Sequence, residues 1–246
     1  MHFTASTSSN GIVERDFRLG EIPGVLWSPV SATEHAPLVL MGHGGGQHKK
    51  TPAQVARAHD AVLRCGFHVA AIDAPGHGDR PRTADDEQAR AELRQSAGDP
   101  ERFRTATIRY ASSLVERAVP EWRATIDALQ QLPEIGPRAP IGYGGGITLG
   151  TAIGVPLTAA DPRIRAAIFG GGFFVYDAQL EAARRITVPV QFLLPWDDEH
   201  VDRRSACELF DAFASTEKTL HANPGDHRTI RWVGVDNEFL PRHLTR

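Results

Sequence analysis

Three kinds of side chain in this 246-residue chain could together break an ester: the hydroxyl of Thr148, the carboxylates of Asp197-Asp198 and the imidazole of His227. Acyl transfer needs a hydroxyl to attack the carbonyl and a histidine to take its proton. It also needs a carboxylate to hold that histidine and amides to hold the oxyanion. Thr148 is the centre of Gly146-Ile147-Thr148-Leu149-Gly150, between an apolar run (139–143) and a small-residue helix pattern (151–160). That is the strand–turn–helix context in which Gly-x-Ser-x-Gly presents a nucleophile. Glycines flank such a turn because side chains there would collide with the neighbouring strand and helix. The central residue is forced toward positive φ, which suits a β-branched residue poorly. Thr148 is therefore a strained nucleophile, a group with another role in the site, or a residue left where serine-type chemistry was lost.

The elements that must position these groups alternate. The hydropathy pattern predicts strands at 13–19, 24–27, 37–41, 67–72, 164–169, 188–194 and 219–222. Helices are predicted at 52–64, 105–118, 120–132, 178–185, 205–214 and 232–244. Pro120 reads as the first-turn proline of its helix. Alternation argues for one domain with a mostly parallel sheet covered on both faces. In such sheets reactive groups gather at the carboxyl ends of strands. Thr148, Asp197-Asp198 and His227 each follow a predicted strand, in the order hydroxyl, acid, histidine. The charged stretch from about 80 to 104 is the only plausible insertion or small cap.

The formal charge of −3 gives no reason to expect a nucleic-acid or membrane partner. His48-Lys49-Lys50 reads as solvated surface. The first ten residues are polar and hold no secretion signal, no apolar run is long enough to span a membrane, and the two cysteines read as buried free thiols. A cytoplasmic protein is expected. Neither Gly42-His43-Gly44-Gly45-Gly46 nor Tyr143-Gly144-Gly145-Gly146 continues into a phosphate-binding motif. His200 stands beside the acidic run 197–199, but no second histidine has ligand spacing, so no metal site is expected.

Four motifs, each at a predicted strand end, together resemble the α/β-hydrolase fold superfamily over about residues 20–246. They are Gly42-His43-Gly44-Gly45-Gly46; Asp73-x-Pro-Gly-His-Gly78; the turn at Thr148; and Trp196-Asp197-Asp198-x-x-Val201 with Gly225-Asp226-His227. The chain is most similar there to small, nearly capless dienelactone-hydrolase-like and esterase-like members. The resemblance implies oxyanion amides at Gly45 and Leu149, with Gly44 and Gly46 letting the substrate approach. It implies Asp198 as the acid in preference to Asp197, from its spacing to Val201, and His227 as the base. His43 would be a structural hydrogen-bonder beneath the oxyanion loop, with Asp73 and His77 bracing the next turn. Phe173 and Phe174, after Gly170-Gly171-Gly172, are candidate substrate contacts.

This chain departs from the family in carrying threonine in place of serine. The glycine run before it also looks one residue too long. The expected activity is hydrolysis of a carboxylic ester, lactone or thioester by a Thr148–His227–Asp198 triad, with no cofactor and a small acyl substrate. Cofactor-free lyase, isomerase or cyclase chemistry on the same histidine, and a non-catalytic homologue, remain the alternatives. Oligomeric state is open, a homodimer included.

Overall fold

The computed structural model describes residues 1–33, 35–172, 174–199 and 201–245. Its backbone is one nine-stranded sheet in the order β1-β2-β3-β5-β4-β6-β7-β8-β9. β1 (His2–Ser9), β2 (Ile12–Leu19) and β3 (Ile22–Pro29) form an antiparallel meander. β3 runs antiparallel to β5 (His68–Ile72). From β5 onward the sheet is parallel, through β4 (Leu38–Leu40), β6 (Ile141–Gly146), β7 (Ile164–Gly170), β8 (Val190–Pro195) and β9 (Lys218–Asn223).

Period-two alternation sorts the side chains onto two faces. Val25, Trp27, Val39, Val69 and Ala71 pack toward α1 (Pro52–Cys65) and α7 (Phe239–Leu244). Leu26, Leu38, Leu40, Ala70 and Ile72 face the larger core. That core is built with α3 (Pro100–Leu129), α4 (Leu149–Ala160), α5 (Asp177–Ala183) and α6 (Arg203–Ala212). α1 ends where Gly66 takes a left-handed φ of 69° and its amide bonds back to the last turn.

β4 lies between β5 and β6, so the chain leaves it in one direction and the sheet is later extended in the other. That switch opens a crevice at the carboxyl ends of β4 and β6. The loop after β4 is 42–46, and the turn after β6 holds Thr148.

Several expectations are corrected. The polar N-terminus forms β1, whose residues are all exposed. It is hairpinned to β2 through Asn10 (φ 50°) and Gly11 (φ 81°), an Asn-Gly turn signal. The helices expected at 105–118 and 120–132 are one, α3, which runs through Pro120. A mid-helix proline removes one backbone bond. Leu114, Ala118, Trp122, Ile126 and Leu129 bury the face on both sides of it and hold the helix together. The C-terminal helix expected from 232 begins only at Phe239, because Gly234 (φ 72°) interrupts the path. Within the 80–104 stretch, α2 (Ala84–Ser96) starts at a capping box of Thr83 and Asp86 and packs on α3. No described helix is long and apolar enough to cross a membrane.

Lys49 is not solvated surface. It is 5% exposed, and its Nζ lies 2.7 Å from Asp73 Oδ2 and 2.5 Å from Asp79 Oδ2. Asp73 also accepts from the backbone amides of Lys49 and Asp79. The ion pair stitches the loop after β4 to the loop after β5. Lys50 reaches Asp16. Cys65 and Cys207 are free and half-buried.

Candidate active site

Thr148 stands one residue before α4, with φ 61° and ψ −118°. A β-branched residue with positive φ is strained and persists only where its surroundings over-determine it. Here they do. The Thr148 amide donates to Gly171 O at 3.0 Å. Thr151, in the first turn of α4, donates to Gly146 O and accepts from Gly170 N, both at 2.8 Å. The ends of β6 and β7 are thereby clamped to the helix start. A Cβ on Gly150 would overlap Gly145 O, and one on Gly170 would overlap Ile147.

The extra residue in the glycine run is absorbed by a bulge. Against β7, Gly144 pairs with Ile168 and Gly146 with Phe169, so Gly145 has no partner. The Tyr143 ring fills the space beneath. It is fully buried, its hydroxyl donates to Gly150 O at 2.6 Å, and Gly42, Gly145 and Gly154 all crowd against it. Burial pushes its phenol pKa up, so it stays a neutral donor.

Beside the turn runs the loop after β4. A Cβ on Gly44 would lie 3.4 Å from Thr148 Oγ1, so the hydroxyl is turned toward this loop. The Gly44 amide turns back to Gln47 Oε1 at 3.2 Å. His43 sits under the loop: its Nε2 accepts from the Ala74 amide at 3.0 Å and its Nδ1–H donates to Gly44 O at 2.9 Å. Burial, reinforced by His77 and His48, lowers its pKa to about 4, so it is neutral and structural. The His77 Nδ1–H donates to Pro75 O, and burial lowers its pKa as well.

Thr148, Leu149, Gly45, Gly46, Gly172 and Phe174 line one cavity of about 210 Å³. α2 and α3 roof it with Arg90, Leu93, Phe103, Thr107 and Tyr110. Phe174 meets Phe103 edge-on, with ring centroids 6.0 Å apart. Leu149 is the first residue of α4, so its amide is among those a helix leaves unbonded, at the positive end of the helix dipole. Phe173 lies outside the described residues.

The acid and histidine meet at the ends of β8 and β9. The His227 Nδ1–H donates to Asp198 Oδ2 at 2.6 Å, and the same oxygen accepts from the His227 amide at 2.5 Å. The Asp198 side chain is wholly buried. Asp197 instead accepts from the Gly225 amide at 2.9 Å, which shapes the loop leading to His227. Gly171 links the two halves: its carbonyl takes the Thr148 amide bond, its amide donates to Leu193 O at 2.9 Å, and its Cα faces Val201, three residues beyond Asp198. Among the described residues, no three His, Cys, Asp or Glu gather where they could hold a metal ion.

Two features escaped the sequence reading. Tyr143 was legible only as part of an apolar run, because its glycine neighbours come from three elements. Lys49 was hidden among charged neighbours, and its partner Asp73 comes from another strand end.

No protein-family model and no curated protein sequence matches the chain. Solved structures do. A cold-adapted esterase from an Arctic intertidal metagenomic library, in its PEG-bound form, is 30% identical with a TM-score of 0.70, covering 94% of this chain and 92% of that one. An acetyl xylan esterase from a Paenibacillus species (13% identity, TM-score 0.65, 93% of this chain and 83% of that one) shares the fold. So does a dienelactone hydrolase from Anabaena variabilis (19%, TM-score 0.56, 89% of each). The sheet order, the turn at Thr148 and this likeness over nearly the whole length agree: the chain belongs to the α/β-hydrolase family of enzymes, beside its esterases.

Proposed function

We propose that the enzyme hydrolyses carboxylic esters, lactones or thioesters through Thr148, His227 and Asp198. One observation carries the reading: Thr148 holds the strained turn conformation in the lining of a cavity, its hydroxyl turned toward the Gly44 loop. A fold that had abandoned acyl transfer would be free to relax that backbone.

With Nδ1 committed to Asp198, Nε2 of His227 is the basic nitrogen. It takes the proton from Thr148 Oγ1 as the oxygen attacks the acyl carbonyl. Asp198 holds the tautomer and stabilises the imidazolium. The carbonyl oxygen, now negative, is held by the amides of Gly45 and Leu149, the latter favoured by the α4 dipole. Collapse breaks the bond to the leaving alcohol or thiol, which receives the proton from Nε2. Water then gives a proton to Nε2, attacks the acyl-enzyme, and Thr148 leaves with that proton as the carboxylic acid departs.

The test exposes wild type and Thr148→Ala to a fluorophosphonate and an activated acyl ester, read by intact mass. An adduct on wild type alone supports the reading. If His227→Ala abolishes turnover while Thr148→Ala merely weakens it, the hydroxyl is not the nucleophile and the reading fails.

A further inference from the structure

The cavity over Thr148 is mostly apolar, with Leu93, Phe103, Ala111 and Phe174 in its wall. Two buried polar groups in that wall have nothing to bond. Gln179, in the first turn of α5, is 1% exposed, and neither its Nε2 nor its Oε1 has a hydrogen-bond partner. Thr107 Oγ1, on α3, is buried and unpartnered as well. Buried amides and hydroxyls are almost always paired, because leaving them so costs free energy. A helical threonine has an easy remedy in the carbonyl one turn back. Thr125 takes it in the same helix, donating to Glu121 O at 2.8 Å, and Thr107 does not. Both groups thus remain unsatisfied in the lining of the cavity that holds Thr148, one on α3 and one on α5.

We propose that this wall is the acyl-recognition subsite, and that the acyl group it takes carries a neutral hydroxyl, bonded by Gln179 and Thr107. The proposal rests on the hydrolytic reading of Thr148 for its link to turnover. Gln179 lacks both a partner for its donor and a partner for its acceptor. A carboxylate would satisfy Nε2 and leave Oε1 facing negative charge; an ammonium would do the reverse. A hydroxyl gives and accepts, and so matches both the amide of Gln179 and the hydroxyl of Thr107. A cavity of about 210 Å³, at ~30 Å³ for each water it could hold, fits a short hydroxyacyl chain. Sites built to bond a hydroxyl reject the analogue lacking it far better than apolar pockets reject a methylene. Gln179 and Thr107 are therefore specificity residues.

The experiment measures kcat/KM for two pairs of esters matched in shape: methyl 3-hydroxybutanoate against methyl 3-methylbutanoate, and methyl 5-hydroxypentanoate against methyl hexanoate. Wild type is expected to prefer the hydroxy member of at least one pair by about tenfold or more. Gln179→Leu and Thr107→Val should each collapse that preference, and Gln179→Leu should raise Tm, since it removes unpaired buried polar atoms; a merely structural glutamine would do neither. A preference for the alkyl member in both pairs, or a ratio that Gln179→Leu and Thr107→Val leave unchanged, overturns the proposal. p-Nitrophenyl acetate, which carries no hydroxyl, reports the Thr148 chemistry separately. If it is not hydrolysed, the hydrolytic reading fails, and the subsite is judged by calorimetric titration of the first ester pair. Tighter binding of the hydroxy ester, lost in Gln179→Leu, then supports it, and equal binding overturns it.

Discussion

Threonine differs from serine by one methyl, and at position 148 that methyl sits on a residue whose φ is 61°. Branching limits the rotamers of Oγ1 and, in the proposed mechanism, crowds the line of attack. Thr148→Ser is expected to speed fluorophosphonate labelling by about tenfold, a barrier change of about 1.4 kcal/mol. Slower labelling, measured by mass against time, would instead make the methyl a positioning group. His43 gives a prediction in pH. Its folded pKa is about 4 against an ordinary 6.5, so the unfolded chain binds the proton more readily between those values. Stability therefore falls as the pH drops from 6.5 toward 4, by ~3 kcal/mol at most from this residue. Urea titrations across that range should show the loss, and His43→Gln should flatten it. At this scale the sequence was informative about where the candidate groups stand, since hydroxyl, acid and histidine each follow a strand. It was silent on Gln179 and Thr107, because a lack of partners is a property of packing.

The turn around Thr148 depends on α4 starting hard against β6. Gly150 has no room for a Cβ because Gly145 O occupies that space. Gly150→Ala is expected to destabilise the protein by about 3 kcal/mol or more, or to leave it insoluble, and denaturant melts will tell. Parallel strands and their helices were readable from periodicity. β1 was not, because a strand exposed on every residue has no apolar alternation to betray it; the Asn10-Gly11 turn was the available signal. Proline misled in the opposite sense. Pro120 looked like a helix start, yet α3 passes through it because the buried face on either side outweighs one lost backbone bond.

Over the whole molecule, the candidate site is assembled from loops that follow six strands, β4 to β9, and it needs them held together. Lys49 and Asp73 do this for two of them, largely out of contact with water. Lys49→Met would strand the buried carboxylate of Asp73, and a loss of about 3–5 kcal/mol is expected by urea unfolding. Lys49→Met with Asp73→Asn should recover part of it. If the single variant is as stable as wild type, the pair contributes nothing. The charged stretch near 80–104 now has a physical place, as the α2 and α3 roof of the cavity. Most of its charges lie on the outer faces of α2 and α3 while Arg90, Leu93 and Phe103 line the cavity, which is why composition by itself hid the roof's purpose.

Tyr143 has a consequence for how such chains diverge. Three glycines from separate segments, Gly42, Gly145 and Gly154, each leave room for its ring, and its hydroxyl holds the carbonyl of Gly150. None of the three can gain a side chain while the ring is there, and losing the ring would leave a void that the glycines cannot fill. The four positions should therefore covary: descendants of this sequence that replace the tyrosine with a small residue should have enlarged one or more of the glycines in the same lineage.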